Sequence, residues 1–226
     1  MNADVIFSLI LAVTLLAVLI GTIRLFRSGR QVLTVAFFAF AIACSLFSTL
    51  YWNAYDLLRG DARMPFAANE ICEWAQFLLL ASSLRATFSG KRISLKAFIP
   101  AALFAAANAA LWIAWSGEWL QDILTALCLG WLFVVLIDCL LASDALKKLE
   151  WIMLGVAVLL LIAVQTLTFF VDAVSALELG GFVLLLAVDA WLVWKTLLAL
   201  KASDRAHRAI CLSFAAYAWS TVAMYM

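Results

Sequence analysis

Charged residues and histidine are scarce in this chain, and each scarcity narrows what it can be. Only 13% of its 226 residues are Asp, Glu, Lys or Arg, against 68% that are hydrophobic. That is far too little charge to wet the surface of a water-soluble domain. A single histidine, His207, argues against hydrolases that build a zinc site from several His residues, and against a Ser-His arrangement inside a bilayer. Axial ligands for a haem are missing as well. No phosphate-binding or dinucleotide-binding glycine fingerprint occurs. The basic residues are scattered along short segments, which gives nucleic-acid binding no basis. Lys195 is the one lysine well inside its apolar run but lies near the end of it, which leaves a retinal Schiff base unsupported. No cofactor is implied, and the metal question stays open only for a carboxylate site suited to Ca²⁺, Mg²⁺ or Mn²⁺.

What fills the chain is apolar runs of membrane-spanning length. A helix needs roughly 20 mostly apolar residues to cross hydrocarbon about 30 Å thick. Runs near 5–26, 32–57, 66–88, 95–115, 118–143, 149–172, 176–200 and 206–226 meet that length with short connections between them. They are continuous and do not alternate with period two, which excludes barrel strands. The expected fold is all-α: one polytopic transmembrane domain, 1–226, of eight helices. Met1 to Asp4 carries no Lys or Arg, so the first run is expected to be retained and not cleaved as a signal peptide. The five cysteines, Cys44, Cys72, Cys128, Cys139 and Cys211, fall inside these runs at spacings that suit neither zinc nor a disulfide framework and read as packing residues.

Basic residues set the orientation, because Lys and Arg concentrate on cytoplasmic loops and helix ends. Thirteen of the 15 lie at every second connection: Arg24 to Arg30, Arg85 to Lys96, Lys147 with Lys148, and Lys195 to Arg208. An eight-helix protein of the plasma membrane with both termini outside follows. The outer half then holds nine acids against only Arg59 and Arg63. The halves 1–116 and 117–226 also match weakly. Glu73 stands four residues before Phe77-Leu78-Leu79-Leu80, and Glu178 four before Phe182-Val183-Leu184-Leu185. A parallel four-plus-four repeat is one reading of this, and chance similarity between apolar helices is the other.

Polar stripes on the helices locate a candidate site. An ionised group at the centre of a spanning helix costs about 2.5–3.5 kcal/mol on insertion scales, so such groups face a bundle interior or a wet cavity. Tyr51, Tyr55 and Arg59 share a face of the second helix, with Asp56 on the adjoining stripe. Asn69, Glu73 and Gln76 share one on the third, with Glu70 a step around it. Asp122 lies early in the fifth helix, Gln165 and Asp172 share a face of the sixth, Glu178 begins the seventh, and Tyr217 stands between Ser213 and Ser220 in the eighth. Glu73, expected about two turns inside its helix, is either a proton carrier and cation ligand or a neutral carboxyl tying two helices together. Arg59 can pair with Asp56 or Glu70 and hold the loop after it as a lid, or bind an anionic group of a ligand. Aromatic faces beside carboxylates can cage an organic cation. Trp112, Trp115, Trp119, Trp219 and Tyr225 read instead as interfacial belt residues.

The expected function is a small transporter or ligand-binding protein whose outward-facing acidic and aromatic cavity admits a cationic or polar small molecule, with proton coupling at Glu73. Besides lipid and that ligand, its expected partners are a second copy or another membrane protein. A sensor or receptor subunit signalling through such a partner, and an intramembrane metal-dependent enzyme, are the alternatives. The topology is testable with reporter fusions. Alkaline phosphatase fused after Met226 or after Gly117 should be active and a fluorescent-protein fusion there dark, with the reverse pattern after Gly90 and Ala145.

Overall fold

The computed structural model describes residues 3–27, 32–58, 67–87, 92–170, 175–200 and 205–223. Among them lie eight helices and no strand: α1 (Ala3–Arg27), α2 (Val32–Leu58), α3 (Ala68–Thr87), α4 (Leu95–Ser116), α5 (Trp119–Ala142), α6 (Lys148–Phe170), α7 (Ser175–Ala199) and α8 (Arg205–Ala223). The fold is all-α, with helices where the apolar runs put them. Five of these helices are long and apolar enough to cross a membrane, over Val32–Tyr55, Leu95–Ser116, Trp119–Ala142, Lys148–Leu167 and Leu179–Ala199. Among the described residues, α1 and α8 contribute the apolar stretches Leu9–Leu25 and Ile210–Ala223. Helix α3 carries Glu70, Glu73 and Arg85 within 20 residues. Leu, Ile, Val and Phe side chains stand exposed along the helices, among them Ile10, Val13, Phe40, Phe47, Leu103, Leu159 and Phe182. Such cladding suits a hydrocarbon solvent, whereas in water it would drive association.

Packing divides the chain into two compact units, 1–90 with 120–131, and 91–119 with 132–226. This partition cuts through α5, so it is a different division from the sequence halves 1–116 and 117–226. In the first unit α2 packs against both α1 and α3. Its buried stripe, Val35, Phe38, Ile42 and Leu46, recurs at three- and four-residue steps, and Phe77, Leu80, Ala81 and Leu84 form the matching stripe of α3. The Ser83 hydroxyl donates to the Thr34 carbonyl at 2.9 Å and sets the register of α2 against α3.

In the second unit α7 packs against α6 and α8, and α4 touches α6. Leu132 to Leu140 of α5, Asp138 among them, are buried without a break. Phe104 of α4, Phe133 of α5 and Trp219 of α8 form a ring cluster, with centroids 4.5 and 6.1 Å apart. Trp219 is therefore not a belt residue. It is 1% exposed, and its indole N–H donates to Thr196 Oγ1 on α7. Trp115 and Trp119, in contrast, are more than half exposed.

Charged groups near helix ends are tied into these contacts. The Asp138 carboxylate accepts from the Ser94 backbone N–H at 2.8 Å, where Ser94 caps α4. Glu150 accepts the Lys147 N–H at 2.8 Å and meets Lys195 Nζ at 2.6 Å, while Lys195 also donates to the Ala145 carbonyl. A carboxylate at a helix N-terminus satisfies orphan N–H groups and the helix dipole together. All five cysteines are unpaired.

Among the described glycines of the second unit, Gly181 of α7 lies against a neighbouring helix, where an added Cβ would lie 2.5 Å from Cγ1 of Val164 on α6. Gly181→Ala should therefore lower the free energy of unfolding in mixed micelles by about 1–3 kcal/mol through overpacking. The double variant Gly181→Ala/Val164→Ala should recover most of the loss. An undiminished stability of the single variant would show that the helices can part there without penalty.

Candidate functional site

Among the described residues, the carboxylate most completely enclosed by protein is Glu70. Helix α3 starts at Ala68, with Ala67 at its N-cap, because Glu70 reaches back from the first turn. Glu70 Oε2 accepts the Ala67 N–H at 3.1 Å, which is half of a capping box. Ala has no side-chain oxygen to supply the other half. Starting there, α3 places Glu73 only about 8 Å from the helix start, shallower than the apolar run suggests. Glu70 Oε1 accepts from the Gln121 side-chain amide of α5 at 2.6 Å. One turn further along both helices, the Trp74 indole N–H donates to Thr125 Oγ1 at 2.7 Å, and the Thr125 hydroxyl donates to the Gln121 carbonyl at 3.0 Å. Both interhelical pairs have the same sequence offset, so α3 and this part of α5 run side by side in the same direction.

In the same unit Asn69, Glu70, Gln76, Gln121 and Asp122 are all buried. Glu70 itself is 1% exposed, and Glu73 is half-buried. Five buried polar side chains along the first half of α3 and the start of α5 are a costly arrangement unless each is hydrogen-bonded. Gln121 was not among the residues singled out from the sequence. The one sign of it was a Gln at a spacing of four from Thr125 beside Asp122, and its partner across the helix pair is decided by packing alone.

The aromatic residues of α2 form a separate ledge in the same unit. Tyr51 and Tyr55 stack with centroids 6.1 Å apart, and Trp52 meets Tyr55 edge-on at 6.2 Å. Tyr51, Ala54, Tyr55 and Leu58 line a shallow cavity of about 180 Å³. Counting along both helices from the Ser83–Thr34 contact at 1.5 Å per residue, Tyr55 stands roughly 16 Å beyond the level of Glu73 and Tyr51 roughly 10 Å beyond it. A ligand touching both Tyr55 and Glu73 would have to be extended along the helix axis.

Of the remaining expected site residues, Asp56 is in the first unit, and the others belong to the second unit or lie outside the described residues. Gln165 on α6 and Tyr217 on α8 are half-buried in the second unit. Asp56 and Glu178 occupy helical positions in α2 and α7. Arg59 and Asp172 lie outside the described residues, so the reading of Arg59 as a lid or anion-binding residue does too. Among the described residues no group of three His, Cys, Asp or Glu is placed to hold a metal ion. No family model matches the chain, and no curated protein or solved structure shows significant similarity to it.

The ladder predicts an asymmetry between variants. Glu70→Ala leaves the Gln121 amide and the Ala67 N–H without their acceptor and should destabilise the protein by about 1–3 kcal/mol. Glu70→Gln, which keeps an acceptor oxygen, should lose distinctly less. Thermal unfolding of the two variants in one detergent reads the difference, and equal losses would mean that the carboxyl oxygens do not hold the two helices.

Proposed function

We propose that the protein is a small integral membrane transporter or ligand-binding protein of the plasma membrane, taking a cationic or polar small molecule at the acidic ends of α3 and α5 and coupling its passage to protons at Glu73. In this reading all eight helices span the bilayer, both termini face outside, and the ends rich in Lys and Arg face the cytoplasm. The observation that supports it is the burial of Asn69, Glu70, Gln76, Gln121 and Asp122 together in the first unit. Polar side chains are costly to bury, so their concentration along α3 and the start of α5 marks this part of the unit as the place for a ligand.

The two neighbouring carboxylates differ in what they can do. Glu70 is enclosed and held by Gln121 and by the start of α3, so it anchors the ends of the helices. Glu73, three residues on and half-buried, is reachable where Glu70 is not. A carboxylate that can gain and lose a proton at such a place changes the local charge by one unit, enough to alternate between favouring and releasing a cation. Tyr51 and Tyr55, further along α2, would meet the cation before it reaches the acids.

Tetraethylammonium is a suitable probe. Proteoliposomes holding the wild-type chain should accumulate it when a pH gradient is imposed and should show accompanying proton movement with an internal dye. Glu73→Gln should abolish the pH-driven part while leaving a folded protein. Unchanged accumulation in that variant removes Glu73 from the coupling, and saturable binding without accumulation marks a ligand sensor instead of a transporter.

A further inference from the structure

The second unit contains a carboxylate that no helix end, ion pair or turn accounts for. Six other charged side chains occur in the five apolar spans, namely Lys96, Asp122, Asp138, Lys148, Glu150 and Lys195, and each lies within four residues of a span end. Asp138, Glu150 and Lys195 are bonded there to backbone groups of caps and turns. Asp189 stands ten residues from both ends of the Leu179–Ala199 span. Its Oδ2 accepts from the Ser220 hydroxyl of α8 at 3.1 Å. Its Oδ1 is enclosed and has no hydrogen-bond partner among the described residues.

We propose that Asp189 is a membrane-embedded proton-binding site, with Ser220 as the hydrogen-bond donor that holds its carboxyl in place. A charge at the centre of a spanning helix is the most costly position for it, and such groups are retained where they carry protons or ions. An oxygen with its lone pairs unmet is where a proton adds: the O–H bond forms at Oδ1 while Ser220 continues to donate to Oδ2. The proton comes from the aqueous phase, and no other bond is made or broken.

The surroundings contain nothing that would pin the carboxylate in its charged form. Helices α6 and α8 pack against α7. On α6 the charged groups are Lys148, exposed, and Glu150, already bonded to Lys195. Lys195 is six residues from Asp189 along α7 and, at 100° per residue, on another side of the helix. On α8 the titratable side chains described are Tyr217, one turn before Ser220, and the buried Cys211. No charged side chain among the described residues acts on Asp189 electrostatically. The polar stripe Ser213, Tyr217 and Ser220 therefore meets at its far end a single acid, and proton exchange there needs no part of the Glu73 reading.

Infrared pH-difference spectra of the purified full chain in lipid nanodiscs, with ¹³C-labelled aspartate, test this directly. Between about pH 5 and pH 9, above the range where ordinary aspartates gain their protons, the wild type should show a labelled carboxylic-acid carbonyl band that rises on acidification, is absent in Asp189→Asn and is shifted by Ser220→Ala. Glu73→Gln should leave it in place, so the two sites fail or stand separately. Retention of every labelled band in Asp189→Asn overturns the proposal. So does a spectrum in which Ser220→Ala moves no aspartate band, which keeps the test decisive should Asp189→Asn fail to fold.

Discussion

In a chain this poor in charge, every polar group removed from water must find its partner inside the protein. The helix satisfies the backbone at once, since each interior N–H and C=O is paired within the segment. Helix ends and polar side chains are what remain. Much of what distinguishes one part of this molecule from another is a way of meeting that demand. Ser83 on the Thr34 carbonyl, Trp219 on Thr196, Asp138 on the α4 cap and Lys195 between Glu150 and Ala145 each close a donor or acceptor that hydrocarbon could not solvate.

Seen in this way, the acids fall into three kinds. Asp138 and Glu150 sit against helix N-termini, where partial positive charge and unpaired N–H groups make a carboxylate welcome. Glu70 combines such a role with an interhelical bond to Gln121, so that the same side chain both starts α3 and fastens it to α5. Asp189 has neither a helix end nor a cation among the described residues, only one hydroxyl. The first kind explains itself structurally, the second adds a tie between two helices, and the third is the group from which the proton-binding proposal starts. The Lys195–Glu150 contact is partly exposed, so it contributes as a tether for the turn after α5 more than as a source of stability.

Much of the fold was legible from the residues, and the site less so. The apolar run 95–115 became Leu95–Ser116, and 149–172 became Lys148–Phe170, because continuous hydrophobicity over some 20 residues has one solution in lipid. The start of α3 was misplaced by two residues, since the cap depends on Glu70 reaching back to Ala67 and not on hydropathy. Asn69, Glu70, Gln76 and Asp122 stood out because polar residues are conspicuous on greasy helices. Gln121 and the orphan oxygen of Asp189 did not, because each is defined by what lies opposite. Trp219 was read as interfacial from its place near the end of the chain, whereas the ring cluster with Phe104 and Phe133 buries it.

The sequence by itself determined that the chain is helical, that its helices are clad in apolar side chains, and that basic residues gather at alternate connections, because these depend on run length and composition, which are local. Only the tertiary structure decided which polar groups meet. The pairing of Glu70 with Gln121, of Trp74 with Thr125 and of Asp189 with Ser220 follows from helix direction and register, and α3 lies parallel to the N-terminal part of α5 for reasons of side-chain packing between segments some 50 residues apart. Hydropathy is blind to such pairings, since a helix presents the same apolar average whichever neighbour it packs against.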